Sequence, residues 1–263
     1  MKKTEIKTAF DHGKALIGFV TGGDPDLETT EKLLPAMQEA GCDLIEIGVP
    51  FSDPIAEGPV IQEANERALS AGCTTDRLFE SVRRVRESGA VSVPLVFLTY
   101  VNPIFTYGKE RFMERCRECG IDGLIVPDVP FEEKGEIAQA AAEKDIDLIS
   151  MIAPTSEDRI RRIASEAKGF LYVVSSLGVT GVRASITTDI DGMMRLVREA
   201  SDIPAAVGFG IARPEQARDM AAKSDGAIVG SAIVRIVAKH GRESVEPVSE
   251  YIRSLRAGVD QAG

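Results

Sequence analysis

The sequence lacks a long apolar run: nowhere in its 263 residues do apolar residues extend over the roughly 18 positions that a membrane helix needs. The first ten residues hold three lysines and no apolar core, so we expect no secretory signal. The four cysteines (Cys42, Cys73, Cys116 and Cys119) are then expected to be free thiols in the cytosol, where disulfides are rare.

Metal ligands are scarce as well. The two histidines, His12 and His240, lie far apart, and Cys116 and Cys119 form a CxxC pair without a second pair to complete a zinc site. We therefore expect neither a metal nor a bound cofactor in this chain. We interpret the two cysteines as thiols on a helix.

Positive charge is also in short supply. The chain has 31 Lys and Arg against 41 Asp and Glu, a net charge of −10. An acidic surface disfavours nucleic acids and anionic membranes as partners, but it does not exclude an anionic substrate, which responds to its local site. No lysine lies in a predicted strand, which argues against aldolases that form a Schiff base, and the missing metal ligands argue against metal-dependent ones.

What the sequence does contain is a regular alternation of short β-rich runs and helical patterns. Most runs are continuously apolar, as strands covered on both faces should be. Such alternation predicts parallel strands joined by right-handed crossovers, and a count of eight favours a closed (β/α)8 TIM barrel. The predicted strands are residues 15–20, 44–48, 95–99, 123–126, 148–152, 171–175, 205–207 and 227–229, and the predicted helices 27–40, 77–88, 111–119, 133–144, 157–167, 192–200, 214–223 and 245–256.

We predict one α/β barrel domain over residues 1–263, because 44% hydrophobic content supplies one sizeable core and no linker interrupts the pattern. Residues 4–11 are expected to form an extra N-terminal helix that closes the barrel bottom. Residues 256–263 are expected to fray.

In such barrels the chemistry lies on the loops that follow the strands. Glu46 interrupts an apolar strand and alternates with Ile45 and Ile47, so it is expected to point into the barrel mouth. A carboxylate there is costly unless it is paired or used, and burial raises its pKa towards a range useful for proton transfer. The alternative is a structural carboxylate that caps a backbone amide. Glu57 lies just before a helix that Pro59 can begin, where the helix dipole alone would favour an acid.

Glycines cluster in the loops after the last three strands. Residues 175–181 are typical of a mobile loop that closes over a ligand, or of an ordinary connection. Residues 208–211 and 230–231 follow strands seven and eight, where barrels commonly bind phosphate, and Ser231 begins a helical run whose free amides favour an anion. The residues thus predict a barrel enzyme for a phosphorylated small molecule, with Glu46 as the acid–base group.

The run EIGVPFSDPIAEGP at residues 46–59 resembles the signature of tryptophan synthase alpha chains, E-[LI]-G-[VI]-P-F-S-D-P-x-A-D-G-P. Further similar stretches follow in the family's order across nearly the whole chain. They are FVTGGDP at 19–25, YVNP at 100–103, PDVP at 127–130, APT at 153–155, GVTG at 178–181, GFGI at 208–211 and GSAIV at 230–234.

The resemblance implies a lyase of tryptophan biosynthesis that cleaves indole-3-glycerol phosphate into indole and glyceraldehyde 3-phosphate. It implies a beta chain as partner in an α2β2 heterotetramer in the cytoplasm. The beta chain would use pyridoxal phosphate to join the transferred indole to serine. The apolar loop 102–107 is expected at the barrel mouth beside residues 50–53, as part of the surface for that partner or packed on its own barrel.

The resemblance also implies residue roles. Glu46 would give a proton to C3 of the indole ring and take one from the side-chain hydroxyl, Glu57 would hold the indole N–H, and Tyr172 would lie beside Glu46. Phe19, Leu98, Tyr100, Ile125 and Phe209 would line the indole pocket; Gly181, Gly210, Gly230 and Ser231 would form the phosphate site, with Thr180 as a further substrate-binding residue.

Two positions depart from the family pattern. Glu57 replaces its usual aspartate, which changes the geometry at the indole nitrogen, and Ser176 replaces a frequent arginine in the loop. Two alternatives stay open. Indoleglycerol-phosphate synthase is disfavoured because its chemistry needs a lysine at a strand end. A weakly active regulatory subunit that mainly activates a partner is kept open by Glu57.

Overall fold

The computed structural model describes residues 4–175, 189–208 and 210–263. In this part of the chain the strands are all parallel and form one sheet in the order β5-β4-β3-β2-β1-β9-β8-β7-β6. Their bounds are β1 Ala15–Thr21, β2 Leu44–Gly48, β3 Leu95–Leu98, β4 Gly123–Ile125, β5 Asp147–Leu148, β6 Ser150–Ile152, β7 Leu171–Val174, β8 Ala205–Gly208 and β9 Gly226–Val229.

The sheet closes on itself at Ile149. The two ends of the strand order, β5 and β6, are separated only by this residue, whose amide donates to the Leu124 carbonyl at 2.8 Å. The fifth predicted strand is therefore one barrel strand broken in two, since β5 pairs with β4 and β6 pairs with β7. This eightfold closure confirms the expected TIM barrel.

Helices surround the barrel on its outer face. Their bounds are α1 Leu27–Glu39, α2 Pro59–Ser70, α3 Thr75–Glu87, α4 Val101–Tyr107, α5 Lys109–Cys119, α6 Gly135–Glu143, α7 Glu157–Ser165, α8 Ile190–Ala200, α9 Pro214–Lys223, α10 Ser231–His240 and α11 Val245–Val259. None of the helices in the described ranges has the length and apolarity needed to cross a bilayer.

The strands are continuously apolar in sequence because each is packed on both faces, inside the barrel and against the helices. On β2, Leu44 packs inside the barrel, whereas Ile45 and Ile47 pack outwards against the helices. The same alternation separates Val96 from Phe97 on β3. Because both faces are covered, successive residues on a strand are all buried.

The N-terminal segment closes the bottom of the barrel, as expected, but as the 3-10 helix Ile6–Phe10. Ile6 is fully buried and packs with the inward residues of the barrel floor. A Cβ added at Gly123 would lie 2.7 Å from the Ile6 Cδ1 atom, so the glycine makes room for this plug.

Two local expectations were wrong. The segment predicted as the apolar loop 102–107 is helix α4, in which Ile104 is buried and Phe105 exposed. The chain end predicted to fray from residue 256 continues α11 as far as Val259, which is buried. In both cases contacts with distant elements supply the apolar surface that stabilises the helix, and the local pattern does not contain that information.

Candidate active site

Glu46 lies where the alternation on β2 places it, inside the barrel near the mouth. It pairs with Phe19 of β1 on one side and with Val96 of β3 on the other. Its side chain is 1% exposed, and among the described residues no donor reaches its Oε1 atom. Burial raises the pKa of this carboxyl to about 8. The carboxyl is therefore largely protonated at neutral pH and available as an acid, and at Oε1 no backbone amide supports the alternative of a cap.

Tyr172 lies on β7, on the side of the barrel opposite β2, and its phenol feels the charge of Glu46 inside the barrel. Burial and the charge of Glu46 both raise the pKa of its phenol, so the hydroxyl keeps its proton. A Cβ added at Gly208 of β8 would lie 2.6 Å from the Tyr172 hydroxyl oxygen. Gly208 thus leaves room for this ring, which is a packing role that the glycine motif alone did not reveal.

Glu57 is a buried carboxyl outside the helix that follows it. Gly58 is the N-cap of α2, and Glu57 precedes this residue with 7% exposure. Asn65 of α2 donates its Nδ2 amide to the Glu57 Oε2 atom at 2.8 Å, and the Tyr100 hydroxyl is also hydrogen-bonded to the carboxyl. Burial raises the pKa of Glu57 to about 7, although both hydrogen bonds lower it. This environment differs from that of an exposed first-turn acid.

The apolar wall of the mouth is formed by several of the residues expected in the indole pocket. Phe19 is buried in a cluster with Ile61 and Ala64 of α2, against which Leu98 also packs. Ile125 lies deeper in the barrel, in the same interior cluster as Tyr172. Residues of β1, β3 and α2 therefore form one continuous apolar wall.

Tyr100 is placed differently from a simple lining residue. It follows β3, is fully buried, and accepts a hydrogen bond from the Ala56 amide at 3.1 Å on the loop before α2. Its ring contacts Phe51 with centroids 5.6 Å apart. Tyr100 therefore ties the loop that carries Glu57 to the barrel rim.

The expected phosphate corner is described in part. Gly230 is the N-cap of α10, which begins at Ser231, so the amides at the first two positions of the helix lack an acceptor within it. Gly210 has φ of +84°, a conformation that favours glycine. Both the amides and the helix dipole suit an anion. Thr180, Gly181 and Phe209, like Ser176, lie outside the described residues.

Asn65 is the residue of this site that sequence reasoning missed. The buried face of α2 consists of Ile61, Ala64, Asn65 and Ala68, which follow helical spacing. One amide in an otherwise apolar stripe is costly unless it is hydrogen-bonded. That signal was present in the sequence and would have pointed to a polar partner.

The family model described as "Tryptophan synthase alpha chain" matches residues 7–260. The chain belongs to the tryptophan synthase alpha chain family. The alpha chain of Alkaliphilus metalliredigens (strain QYMF) is 49% identical over 244 residues, which are 92% of this chain and 91% of that one. The alpha chain of Lactiplantibacillus plantarum is 47% identical over 258 residues, or 98% and 97% of the two chains.

Solved structures of this family share the fold. The tryptophan synthase alpha chain from Legionella pneumophila subsp. pneumophila superposes with a TM-score of 0.87 at 31% identity, covering 100% of this chain and 99% of that one. A structure of the tryptophan synthase α2β2 complex from Pyrococcus furiosus gives a TM-score of 0.82 at 33% identity, covering 93% and 99%.

Membership of the family confirms the activity expected from the sequence. The chain is a carbon–carbon lyase of tryptophan biosynthesis that cleaves indole-3-glycerol phosphate. The alternative of an indoleglycerol-phosphate synthase is therefore wrong. Structures related to this chain include tryptophan synthase complexes that contain the beta chain.

Proposed function

We propose that Glu46 and Glu57 divide the chemistry of this cleavage between an acid–base group and a fixed anion. The observation that carries the proposal is the difference between their surroundings. Glu46 has no donor at Oε1 and a pKa of about 8, whereas Glu57 has two donors and a pKa of about 7. Burial raises both pKa values, and the difference in hydrogen bonding suits the two carboxyls to different roles.

In the first step, protonated Glu46 gives its proton to C3 of the indole ring. The ring then carries a positive charge centred on its N–H group, and the carboxylate of Glu57 accepts that N–H and balances the charge. Tyr172 keeps its own proton and lies beside the Glu46 carboxylate that has just formed. Protonation at C3 thereby turns the ring into a leaving group.

In the second step, the Glu46 carboxylate takes the proton of the hydroxyl on the carbon attached to C3. The oxygen lone pair forms the aldehyde of glyceraldehyde 3-phosphate, and the carbon–carbon bond electrons return to the ring as neutral indole. Glu46 ends protonated as it began, so protons and electrons balance over the cycle.

Substrate binding belongs to the same proposal. Phe19, Leu98, Tyr100 and Ile125 would surround the indole ring, with Phe209 as a further wall. The corner with Gly210, Gly230 and Ser231 would hold the phosphate together with Thr180 and Gly181, and its support is the N-terminus of α10 and the positive φ of Gly210. We further propose that residues 1–263 act as one barrel domain. The cytosol is the proposed location, since the four cysteines are free and buried.

The pH dependence of the isolated chain tests the division of roles. Glu57 must be ionised, so kcat/KM should fall as the pH drops through about 7. Glu46 must be protonated, so kcat/KM should fall as the pH rises through about 8. We therefore expect a narrow bell-shaped plot of kcat/KM against pH, with its maximum between these values. The measurement is the rate of indole release between about pH 5.5 and 9.5.

The Glu57→Gln variant is the control for the acid side of the bell. Its carboxyl is gone, so only the substrate phosphate, which ionises near about pH 6, should still titrate there. A parent profile that is flat across this range, or whose acid side is unchanged in the variant, would contradict the assignment.

We propose the beta chain as partner, bound to the barrel mouth. Ile55, on the loop before α2, is 74% exposed, and Phe105 of α4 is 48% exposed. Both follow strands of the barrel at the end that holds Glu46 and Glu57, and exposed apolar side chains next to a site are typical of a protein interface. Indole formed at this end would then be released towards the partner, which carries pyridoxal phosphate.

The partner prediction concerns Ile55→Asp and Phe105→Asp. Each should weaken binding to the cognate beta chain by at least about 10-fold, because a charge replaces an apolar contact. Binding is measured by titration calorimetry or gel filtration. Leu69→Asp is the matched control, since Leu69 is also exposed, at 37%, but lies near the far end of α2. Equal effects of all three changes would refute this surface.

Assays of the isolated chain with and without the beta chain address the alternative of a regulatory subunit. If the chain were mainly an activator, indoleglycerol phosphate cleavage would stay negligible in both assays while the beta reaction accelerates. We expect cleavage in both, and faster cleavage in the complex.

A further inference from the structure

We infer that Asn65 is a positioning residue, which holds the carboxylate of Glu57 in the orientation that receives the indole N–H. The inference rests on the proposed role of Glu57 and goes beyond it, because it names the residue that makes a glutamate workable at this position. It also explains why a buried amide lies in the otherwise apolar face of α2.

The contact itself is short and enclosed. Asn65 is 3% exposed, and its Nδ2 atom lies 2.8 Å from Glu57 Oε2. The Gln62 side chain donates to the Glu57 carbonyl at 2.8 Å, so the backbone of the same residue is held from the same helix. A hydrogen bond from an amide to an ionised carboxylate is stronger than one between neutral groups.

Tyr100 supplies a second donor from a different element. Its hydroxyl oxygen accepts a hydrogen bond from the Ala56 amide, and the hydroxyl proton is then donated to the Glu57 carboxyl. An ionised carboxylate offers about four lone-pair positions. Two donors from the protein therefore fix the plane of the group and still leave room for the indole N–H.

The glutamate side chain explains why fixing is needed. It has one more rotatable bond than an aspartate, so its carboxylate can sweep a larger volume in the mouth. Asn65 and Tyr100 lie on different elements, α2 and the end of β3. Contacts from two rigid elements remove that freedom and place the longer side chain.

Asn65 also favours the ionised form of Glu57. Burial raises the pKa of this carboxyl to about 7, and the amide hydrogen bond opposes that increase. Removing the donor should raise the pKa further. The Tyr100 phenol, with Asp128 near it, is an ionisable group that contacts the Glu57 carboxyl. Helix α2 also carries exposed Glu63 and Glu66, and Arg67, which is paired with Asp24 at 2.8 Å.

The test is Asn65→Leu, which keeps the size of the side chain and removes the donor. We expect kcat at pH 7 to fall by about 10- to 10²-fold, while KM changes less than about threefold, because the phosphate corner is untouched. The acid side of the kcat/KM profile should move up by about one pH unit. Part of the lost activity should therefore return at pH 8, which structural damage would not produce.

Two comparisons separate this role from a loss of folding. Val248→Ala removes buried volume on α11, away from the mouth, and should leave the pH profile unchanged. In a Glu57→Gln background, Asn65→Leu should cost less than about threefold, since the group through which it acts is already gone.

Asn65→Asp provides a variant of nearly identical shape should the leucine chain fail to fold. A second carboxyl beside Glu57 should shift the acid side of the profile further than leucine does. The inference would be overturned if the acid side of the kcat/KM profile did not move in the variant that folds. It would also be overturned if Asn65→Leu lowered the rate by the same factor in the Glu57→Gln background as in the parent chain. If Glu57→Gln alone retains full activity, the proposed role of Glu57 fails instead, and the two failures are distinguishable.

Discussion

The Glu46→Gln variant is expected to cleave indole-3-glycerol phosphate at least about 10²-fold more slowly than the parent chain. Glutamine keeps the shape of the side chain but can neither give a proton to C3 nor take one from the hydroxyl. Glu46 is enclosed in the barrel with 1% exposure, so bulk water does not replace it. The measurement is single-turnover indole formation by the isolated chain.

Stability measurements provide the control for Glu46→Gln. The folded protein holds this carboxyl with a pKa of about 8, above the ordinary glutamate value of 4.5. The stability contributed by this carboxyl is therefore fully present below the lower value and is lost as the pH rises towards the higher one. Glutamine removes that dependence, so the variant should be at least as stable as the parent at pH 8. Near-full cleavage by such a folded variant would contradict the role of Glu46.

The second large effect is expected at Glu57, where Glu57→Gln should lower kcat by about 10²-fold because the balancing charge is gone. Glu57→Asp keeps the charge but withdraws the carboxylate by one methylene, roughly 1.5 Å. The 2.8 Å contact with Asn65 would then be lost. Since a misplacement of about 1 Å can cost about 10²-fold in rate, we expect Glu57→Asp to lower activity by about 10-fold.

The sequence alone does not decide whether Glu57→Asp lowers or raises activity, and the contacts around Glu57 favour a loss. If the glutamate were a poor fit, the aspartate variant would be the faster enzyme. The donors from Asn65 and Tyr100 already meet the longer side chain, so the site is adapted to it. A rise in activity with aspartate would reverse this conclusion. If Glu57→Ala cleaves as fast as the parent, Glu57 has no role in the reaction.

Most of the barrel could be predicted because its strands are defined by local patterns. Continuous apolar runs marked seven strands nearly to their ends, and alternation on β2 placed Glu46 inside the barrel. The break at Ile149 could not be predicted, since it depends on where the ring of strands closes. Helix α4 was missed for a similar reason: its seven residues are too few to form a helix without packing.

The sequence by itself determined the fold class, the inward carboxyl of Glu46 and the glycines at the rim, because period, apolar runs and glycine conformation are properties of neighbouring residues. Only the tertiary structure decided how Glu57 is held. Ala56 and Tyr100 are 44 positions apart, and the barrel brings them to 3.1 Å. Asn65 and Glu57 meet because the loop before α2 brings the Glu57 carboxyl against the buried face of that helix. Such contacts, together with the burial that raises both carboxyl pKa values, exist only once the ring of strands has closed.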